Sequence, residues 1–290
     1  MDHEQTLAQN APLALLGLFF IAGIFFDIIL IILFISRRNE WPGVAAELSE
    51  KPWSYADVGY LIIAALLPMS IIHAFAYIAI ALEIATAADL ESPLVILQTV
   101  LTHAAVLFVG WRLFRIKGIS GKEAFGVRPV GIIRDAQYGL MSYMAILPLV
   151  AIGAVATGFL MNKFHIEAPM QYPLKLLTGN YSLTLKSCIV LAACITAPIV
   201  EELFFRGVAM PFIAKKTGTL TAVIIVSLVF ASIHMSLPAF LPIFLLSVGL
   251  CLAYIISGSL LTSIIMHSLF NTMTMLVVLT LKNPEHFLLK

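Results

Sequence analysis

The chain of 290 residues is 61% hydrophobic and only 11% charged, and its mean hydropathy is +1.01. Soluble domains contain about 25% charged residues, because a surface in contact with water requires them. These values exclude a soluble globular enzyme, a disordered chain and a disulfide scaffold, and a net charge of +1 gives no field that would attract nucleic acid. We therefore predict an all-α polytopic transmembrane helical bundle whose apolar exterior faces lipid.

Eight segments are long and apolar enough to cross a bilayer, which takes about 20 helical residues. We expect the fifth to be one long helix, and the short turns between the last three require antiparallel neighbours. The predicted spans cover residues 12–35, 58–83, 93–113, 135–161, 184–214, 219–235, 239–256 and 260–281. We divide this single membrane domain into N-terminal helices (1–183), a part with polar motifs (184–281) and a tail (282–290).

Lysine and arginine are concentrated in loops that an eight-span arrangement places at one end of the bundle. Loops 36–57 and 112–134 are rich in them, and Lys215 and Lys216 follow the fifth span, whereas loop 84–92 carries only acidic charges. Because basic loops stay in the cytoplasm, we place this end inside and both termini outside.

The first polar motif lies within the fifth span. An ionisable group at the membrane centre costs about 2.5–3.5 kcal/mol even on the lenient insertion scale. Glu202 and Arg206 are four residues apart and can pair on one helix face, whereas Glu201 faces elsewhere and has no local cation, so its surroundings can set its proton affinity. Pro198 lacks an N–H, and we expect a kink just before the carboxylates. The alternative is a structural ion pair with one additional carboxylate.

Two further motifs lie in the sixth and eighth spans. Phe230 and His234 share a helix face, as do His267 and Asn271, because residues four apart lie above one another. Each pattern by itself is also typical of an interfacial histidine or of a hydrogen bond between membrane helices.

Together the motifs supply a carboxylate, a histidine and a histidine–asparagine pair on three of four consecutive helices. Hydrolysis of an acyl bond by water needs a base, a group that orients the water and donors for the oxyanion. We therefore expect these side chains to converge in a polar cavity inside the bundle.

The motifs EExxxR, FxxxH and HxxxN, in this order along the chain, resemble those of the CPBP group of intramembrane proteases. This group includes the type II CAAX prenyl endopeptidases and bacterial Abi-like and bacteriocin-immunity-like proteins. The run Ser-Gly-Ser-Leu at 257–260 is also similar to the family. The resemblance covers about residues 184–281 and is not residue-specific before them.

The resemblance implies that Glu201 and His234 hold and activate the attacking water, and that His267 and Asn271 stabilise the oxyanion. The residues with supporting roles would be Glu202, Arg206 and Phe230. The family further implies a peptide or protein substrate, with a prenylated CAAX-type peptide as one candidate. It also implies membrane lipid as a partner and a multi-pass location in the bacterial inner membrane.

A zinc site is the alternative to a metal-free mechanism. Glu201, His234 and His267 could form a site with two histidines, one glutamate and an open position. However, the HExxH pattern is absent, and a glutamate base with an asparagine donor explains the set without an ion. We therefore favour a glutamate-type endopeptidase without a cofactor.

Two non-proteolytic functions also fit part of the pattern. A non-catalytic membrane protein of the same fold could bind a peptide or partner, as in bacteriocin self-immunity, and a transporter could use the carboxylates as a proton relay. The complete motif set argues against the first. Against the second, the sequence shows none of the inverted repeats common in transporters, and the charged residues of the motifs are confined to one half of the chain.

The remaining polar residues of the spans are expected to be structural. We predict that His73 and His103 are bundle or interfacial contacts and that Glu83 is solvated. Asp27 has no partner at i±3 or i±4 and should either pair across helices or be protonated. Segment 162–182, with lysines on the supposed outer side, should re-enter the membrane or lie on its surface. The three cysteines are expected to be small core residues.

Overall fold

A computed structural model describes residues 17–28, 48, 50–126, 131–166 and 172–280. This part of the chain is helical and contains no β-strand, which confirms the predicted all-α class. Its helices are α1 (Gly17–Ile28), α2 (Tyr55–Ala81), α3 (Ala87–Ile116), α4 (Gly121–Phe125), α5 (Ile132–Lys163), α6 (Tyr172–Thr178), α7 (Leu183–Thr217), α8 (Thr219–Ile233), α9 (Leu237–Ser257) and α10 (Leu260–Thr280). The outer parts of the first predicted span, the basic residues Arg37, Arg38 and Arg128, and the tail 282–290 lie outside the described residues.

Six of these helices are long and apolar enough to cross a membrane, namely α2, α3, α5, α7, α9 and α10. Helix α8 has 15 residues and is therefore about 22 Å long, which is less than the roughly 30 Å of a bilayer's hydrocarbon core. The described part of α1 is shorter still. The eight predicted spans thus correspond to six long helices and two shorter ones.

The exterior of the bundle is apolar, as a lipid-facing surface requires. Large side chains far from the core include Phe75 on α2 and Val155 on α5, which are 69% and 74% exposed. Together with the long apolar helices, this surface identifies the chain as an integral multi-pass membrane protein.

The predicted boundaries differ most from the observed ones at the start of α3, which begins at Ala87 and not near 93. The Thr86 hydroxyl accepts a hydrogen bond from the Asp89 N–H, and the Asp89 carboxylate accepts one from the Thr86 N–H. This capping box makes a polar first turn helical. A search for apolar residues alone therefore starts the helix too late, at Pro93.

Helix α7 is continuous but widens twice into π-helix, at Ala192–Thr196 and at Leu203–Ala209. Each wide turn ends shortly before a proline, Pro198 or Pro211, whose ring lacks an N–H and would press on a carbonyl one turn earlier. Between them lies the short α-helical stretch Ala197–Glu202. The single long helix is thus confirmed, and the irregularity expected at Pro198 takes the form of a widened turn.

The basic ends of α2, α3 and α7 meet at one end of the bundle. Lys117 Nζ, just after α3, lies 2.9 Å from Asp57 Oδ2 in the first turn of α2. Lys216, in the last turn of α7, lies over the ring of Tyr55 at 5.5 Å from its centroid. The loops predicted to share the cytoplasmic side therefore lie at the same end of the structure.

The turn between α9 and α10 packs tightly at this same basic end. Gly258 has a φ of +66° and ends α9, and a Cβ on Gly126 would collide with the Gly258 carbonyl. Ser259 Oγ donates to Oδ2 of the fully buried Asp135 at 2.8 Å. This contact holds the first turn of α5 beside the start of α10.

Segment 162–182 is a packed element in its described part. Leu174, Leu176 and Leu177 of α6 are buried, in clusters with Val278 of α10 and Leu185 of α7. The leucines of α6 thus face the ends of two helices, and a position of this segment within or on the membrane surface stays a prediction.

Candidate active site

The two adjacent carboxylates of α7 have different surroundings. The side chain of Glu202 is fully buried, whereas that of Glu201 is 27% exposed. Both lie near the middle of α7 on an α-helical turn, where successive side chains point about 100° apart. Glu202 therefore faces the packed interior, and Glu201 borders an accessible side.

Glu202 pairs with Arg206, as their four-residue spacing predicts. Arg206 Nη1 donates to Glu202 Oε1 at 2.8 Å, and Nη2 donates to the carbonyl and hydroxyl oxygens of Ser247 on α9 at 3.0 and 2.6 Å. A fully buried ion pair needs such additional hydrogen bonds to offset the loss of water. Ser247 is thus part of the site, although the sequence motifs do not include it.

His267 lies between the two carboxylates. Its Nδ1 is 2.9 Å from Glu202 Oε1, and its Nε2 is 3.9 Å from Glu201 Oε2. Because the Glu202 oxygen accepts from Arg206 as well, Nδ1 of His267 is the atom that carries hydrogen in this contact. His267 is thus the side chain that connects the buried ion pair with Glu201.

His234 lies at the end of α8, with one ring nitrogen already bonded. Its Nδ1 is 2.6 Å from the carbonyl oxygen of Phe230. A carbonyl only accepts, so Nδ1 carries the hydrogen, and Nε2 of the neutral ring keeps a lone pair. This tautomer leaves Nε2 able to accept a hydrogen bond from water.

Phe230 is the common neighbour of the charged and imidazole side chains. It is fully buried, and its ring centroid is 4.8 Å from that of His234 and 5.8 Å from that of His267. The guanidinium of Arg206 lies over the ring at 4.7 Å, a cation–π contact. The structure thus gathers the FxxxH, HxxxN and EExxxR motifs around one aromatic ring.

Asn271 reaches α7 about two turns before the carboxylates. Its Nδ2 donates to the carbonyl of Ala193 at 2.8 Å. In this π-turn the hydrogen bonds run to the fifth residue back, as from the Ala197 N–H to the Ala192 carbonyl. The corresponding donor for Ala193 would be Pro198, which has no N–H, so a carbonyl is left that Asn271 satisfies. Asn271 keeps a second amide hydrogen for another acceptor.

His103 of α3, expected to be a bundle contact, also joins α7 beside the motif. Its Nδ1 is 2.8 Å from Thr196 Oγ1. The two bonded residues are 93 positions apart, so no local spacing could have revealed the contact.

The other polar residues singled out from the sequence lie away from this cluster. Nδ1 of His73 bonds the Met69 carbonyl of its own helix at 2.9 Å on the exposed face of α2. Glu83 is exposed in the loop after α2, and Asp27 is partly buried on α1.

Glu201, His234 and His267 do not fit a zinc ion in the observed arrangement. Within the described ranges, no group of three His, Cys, Asp or Glu side chains is placed to hold a metal. The Nδ1 atoms of both histidines are bonded to Phe230 and Glu202, and their Nε2 atoms are free of such bonds among the described residues.

Two apolar grooves lie on the outside of the bundle, and neither borders the carboxylates. One, of about 550 Å³, runs between α3 and the start of α7, and the other, of about 410 Å³, runs between α2 and α3. The predicted polar cavity does not coincide with either groove. Access to the site in the described structure is seen in the partial exposure of Glu201.

The fold and the site together define a polytopic membrane protein with a glutamate–histidine cluster inside its helical bundle. Residues 184–273 match the family model described as Rce1-like, type II CAAX prenyl endopeptidase Rce1-like. The matched segment contains all three motifs, and the match confirms the resemblance inferred from them. No curated protein and no solved structure gives a match.

Proposed function

We propose that this protein hydrolyses a peptide bond within the membrane, with Glu201 as the base that activates water. The observation that carries the proposal is the contrast between the two carboxylates. Oε1 of the fully buried Glu202 is bonded to Arg206 and His267, whereas the side chain of Glu201 is 27% exposed and makes no hydrogen bond to the described residues. A general base must be reachable and must not be engaged by a structural partner.

The chemistry follows from the positions of the hydrogens. Glu201 takes a proton from a water that also bonds Nε2 of His234, and the water oxygen bonds to the peptide carbonyl carbon. His267 and the second amide hydrogen of Asn271 stabilise the oxyanion as hydrogen-bond donors. The C–N bond then breaks, the amine nitrogen takes the proton from Glu201, and the products are a carboxylic acid and an amine.

We propose a peptide ending in a prenylated CAAX sequence as the substrate. The support for this is the description of the matched family model as a CAAX prenyl endopeptidase. A prenyl chain partitions into lipid, each buried CH₂ adding about 0.8 kcal/mol, and would bring the peptide to the membrane that contains Glu201. As the location of the protein we propose the bacterial inner membrane.

The first test is cleavage of a farnesylated CAAX peptide by the purified protein in liposomes. Glu201→Gln should lower turnover by about 10²–10⁴-fold, because the amide cannot take the proton, and mass spectrometry of the released tripeptide would measure it. Glu83→Gln, which changes an exposed carboxylate away from the cluster, is the matched control. Full activity of the Glu201 variant would refute the assigned base, and binding without cleavage by the wild type would favour the immunity-type function.

Metal analysis of the same preparation tests the glutamate-type mechanism separately. We expect no stoichiometric zinc and unchanged turnover after treatment with a chelator, because within the described ranges no three ligand side chains are placed together around a metal position. Zinc bound in proportion to protein, with turnover that is lost on its removal and restored on its return, would show a metal mechanism.

A further inference from the structure

The π-turn Ala192–Thr196 is held by hydrogen bonds from two other helices. On one side Asn271 of α10 donates to the Ala193 carbonyl at 2.8 Å. On the other side His103 of α3 bonds the Thr196 hydroxyl, also at 2.8 Å. The hydroxyl's contact within its own helix, to the Ala192 carbonyl, is 3.5 Å long and therefore weak.

This turn comes directly before the stretch that carries Glu201. A π-turn inserts one extra residue into a helix, so its shape sets the direction in which the next side chains point. Its own backbone cannot fully determine that shape, because Pro198 removes one hydrogen bond. The external partners therefore set the position of Glu201, and a displacement of about 1 Å in a catalytic group can cost about 10²-fold in rate.

We propose that His103 is a positioning residue for Glu201 and that it acts through Thr196. The inference rests on the proposed function and concerns α3, which lies outside the matched segment 184–273. His103 is not assigned a contact with the substrate, because its bonded nitrogen is directed at α7.

A second histidine of the chain shows what an ordinary lipid-facing histidine does. His73 on α2 bonds the carbonyl of Met69 in its own helix and is exposed. His103 is less exposed and bonds a different helix at its most irregular point. The two histidines therefore form a matched pair for experiment.

The experiment is a double-mutant cycle on turnover of the farnesylated CAAX peptide in liposomes, with His103→Ala, Thr196→Val and the double variant. We expect each single change to lower kcat by about 10- to 100-fold with little change in KM, and the double variant to be no worse than either. His103→Asn should restore most of the activity, because its side-chain amide lies near the position of the ring Nδ1. His73→Ala is the control and should behave as the wild type.

Several outcomes would overturn the inference. Multiplying losses in the double variant, or a His103→Asn variant as inactive as His103→Ala, would show that Thr196 is not the route. A fall in kcat that is accompanied by a large fall in the midpoint of thermal unfolding would show that the contact is merely structural. Glu201→Gln is measured alongside: if it stays active the proposed function fails, and if it is inactive while the His103 and Thr196 variants are fully active, only the present inference fails.

Discussion

Neighbouring glutamates on α7 show how burial and partners separate two identical side chains. The side chain of Glu202 is fully buried, and its Oε1 is bonded to the Arg206 guanidinium and the His267 imidazole, while Arg206 also bonds the Ser247 hydroxyl. A buried charge depends on such partners for its stability. Glu201 lies one residue away, is 27% exposed and has Nε2 of His267 at 3.9 Å, so one side chain can support the fold while the other is available for chemistry.

Breaking the buried ion pair should reduce stability more than removing both of its charges. Arg206→Met leaves Glu202 as an unpaired buried charge, and we expect a loss of about 3–5 kcal/mol, measured as thermal unfolding in one detergent. Glu202→Gln combined with Arg206→Met should recover much of the loss, because the Gln oxygen still accepts from Nδ1 of His267. A double variant that is less stable than Arg206→Met would contradict this account.

At the scale of elements, the site depends on irregular turns within α7. In a regular α-helix every interior carbonyl accepts a hydrogen bond from its own chain. The free carbonyl that Asn271 bonds, and the wide turn whose Thr196 bonds His103, would then be absent. Pro198, which follows the first π-turn, creates the connection to Asn271, because it leaves the Ala193 carbonyl without a donor from α7. Helix α7, which lacks a backbone hydrogen bond of its own at this turn, is instead bonded to α3 and α10.

Pro198→Ala should separate activity from stability. The new N–H can bond a carbonyl one turn earlier, so the π-turn can relax to an α-helix and turn Glu201 away. We expect the thermal midpoint to stay the same or rise while peptide cleavage falls about 10²-fold. Pro68→Ala, at a proline inside α2, is the control. Unchanged cleavage by Pro198→Ala would show that the π-turn does not position the base.

At the scale of the whole molecule, one end of the bundle is both basic and tightly joined. The contact of Lys117 with Asp57 closes the α2–α3 pair, and the contact of Ser259 with Asp135 joins the starts of α5 and α10. Basic residues at one end also set the orientation of membrane helices during insertion. The same end therefore serves both topology and packing.

The orientation can be tested with single cysteines in a chain whose Cys188, Cys194 and Cys251 have been replaced. Lys122 and Asn180 are exposed at opposite ends of the described structure. A membrane-impermeant maleimide should label Asn180→Cys in intact cells and Lys122→Cys only after the membrane is opened, because basic loops stay inside. The reverse pattern would show that the chain inserts the other way.

Sequence reasoning reached the parts of the site that depend on spacing within one helix. The pairing of Glu202 with Arg206 and the shared face of Phe230 and His234 follow from the four-residue repeat. Ser247, Asp135 and His103 were not predicted to have these roles, because their partners lie 41, 124 and 93 positions away. A serine or histidine in an apolar helix gives no local sign of which helix it will contact.

Composition and motif order by themselves determined that this is a helical membrane protein with protease-like motifs. The bilayer imposes helices on any chain so apolar, and each motif lies within one short stretch of sequence. Tertiary packing alone decided which carboxylate is fully buried and which group each nitrogen of His267 contacts. It also decided that Asn271 donates to the carbonyl that Pro198 cannot bond. Those outcomes depend on how separate helices approach one another, and the distances between helices are not written in any single stretch of chain.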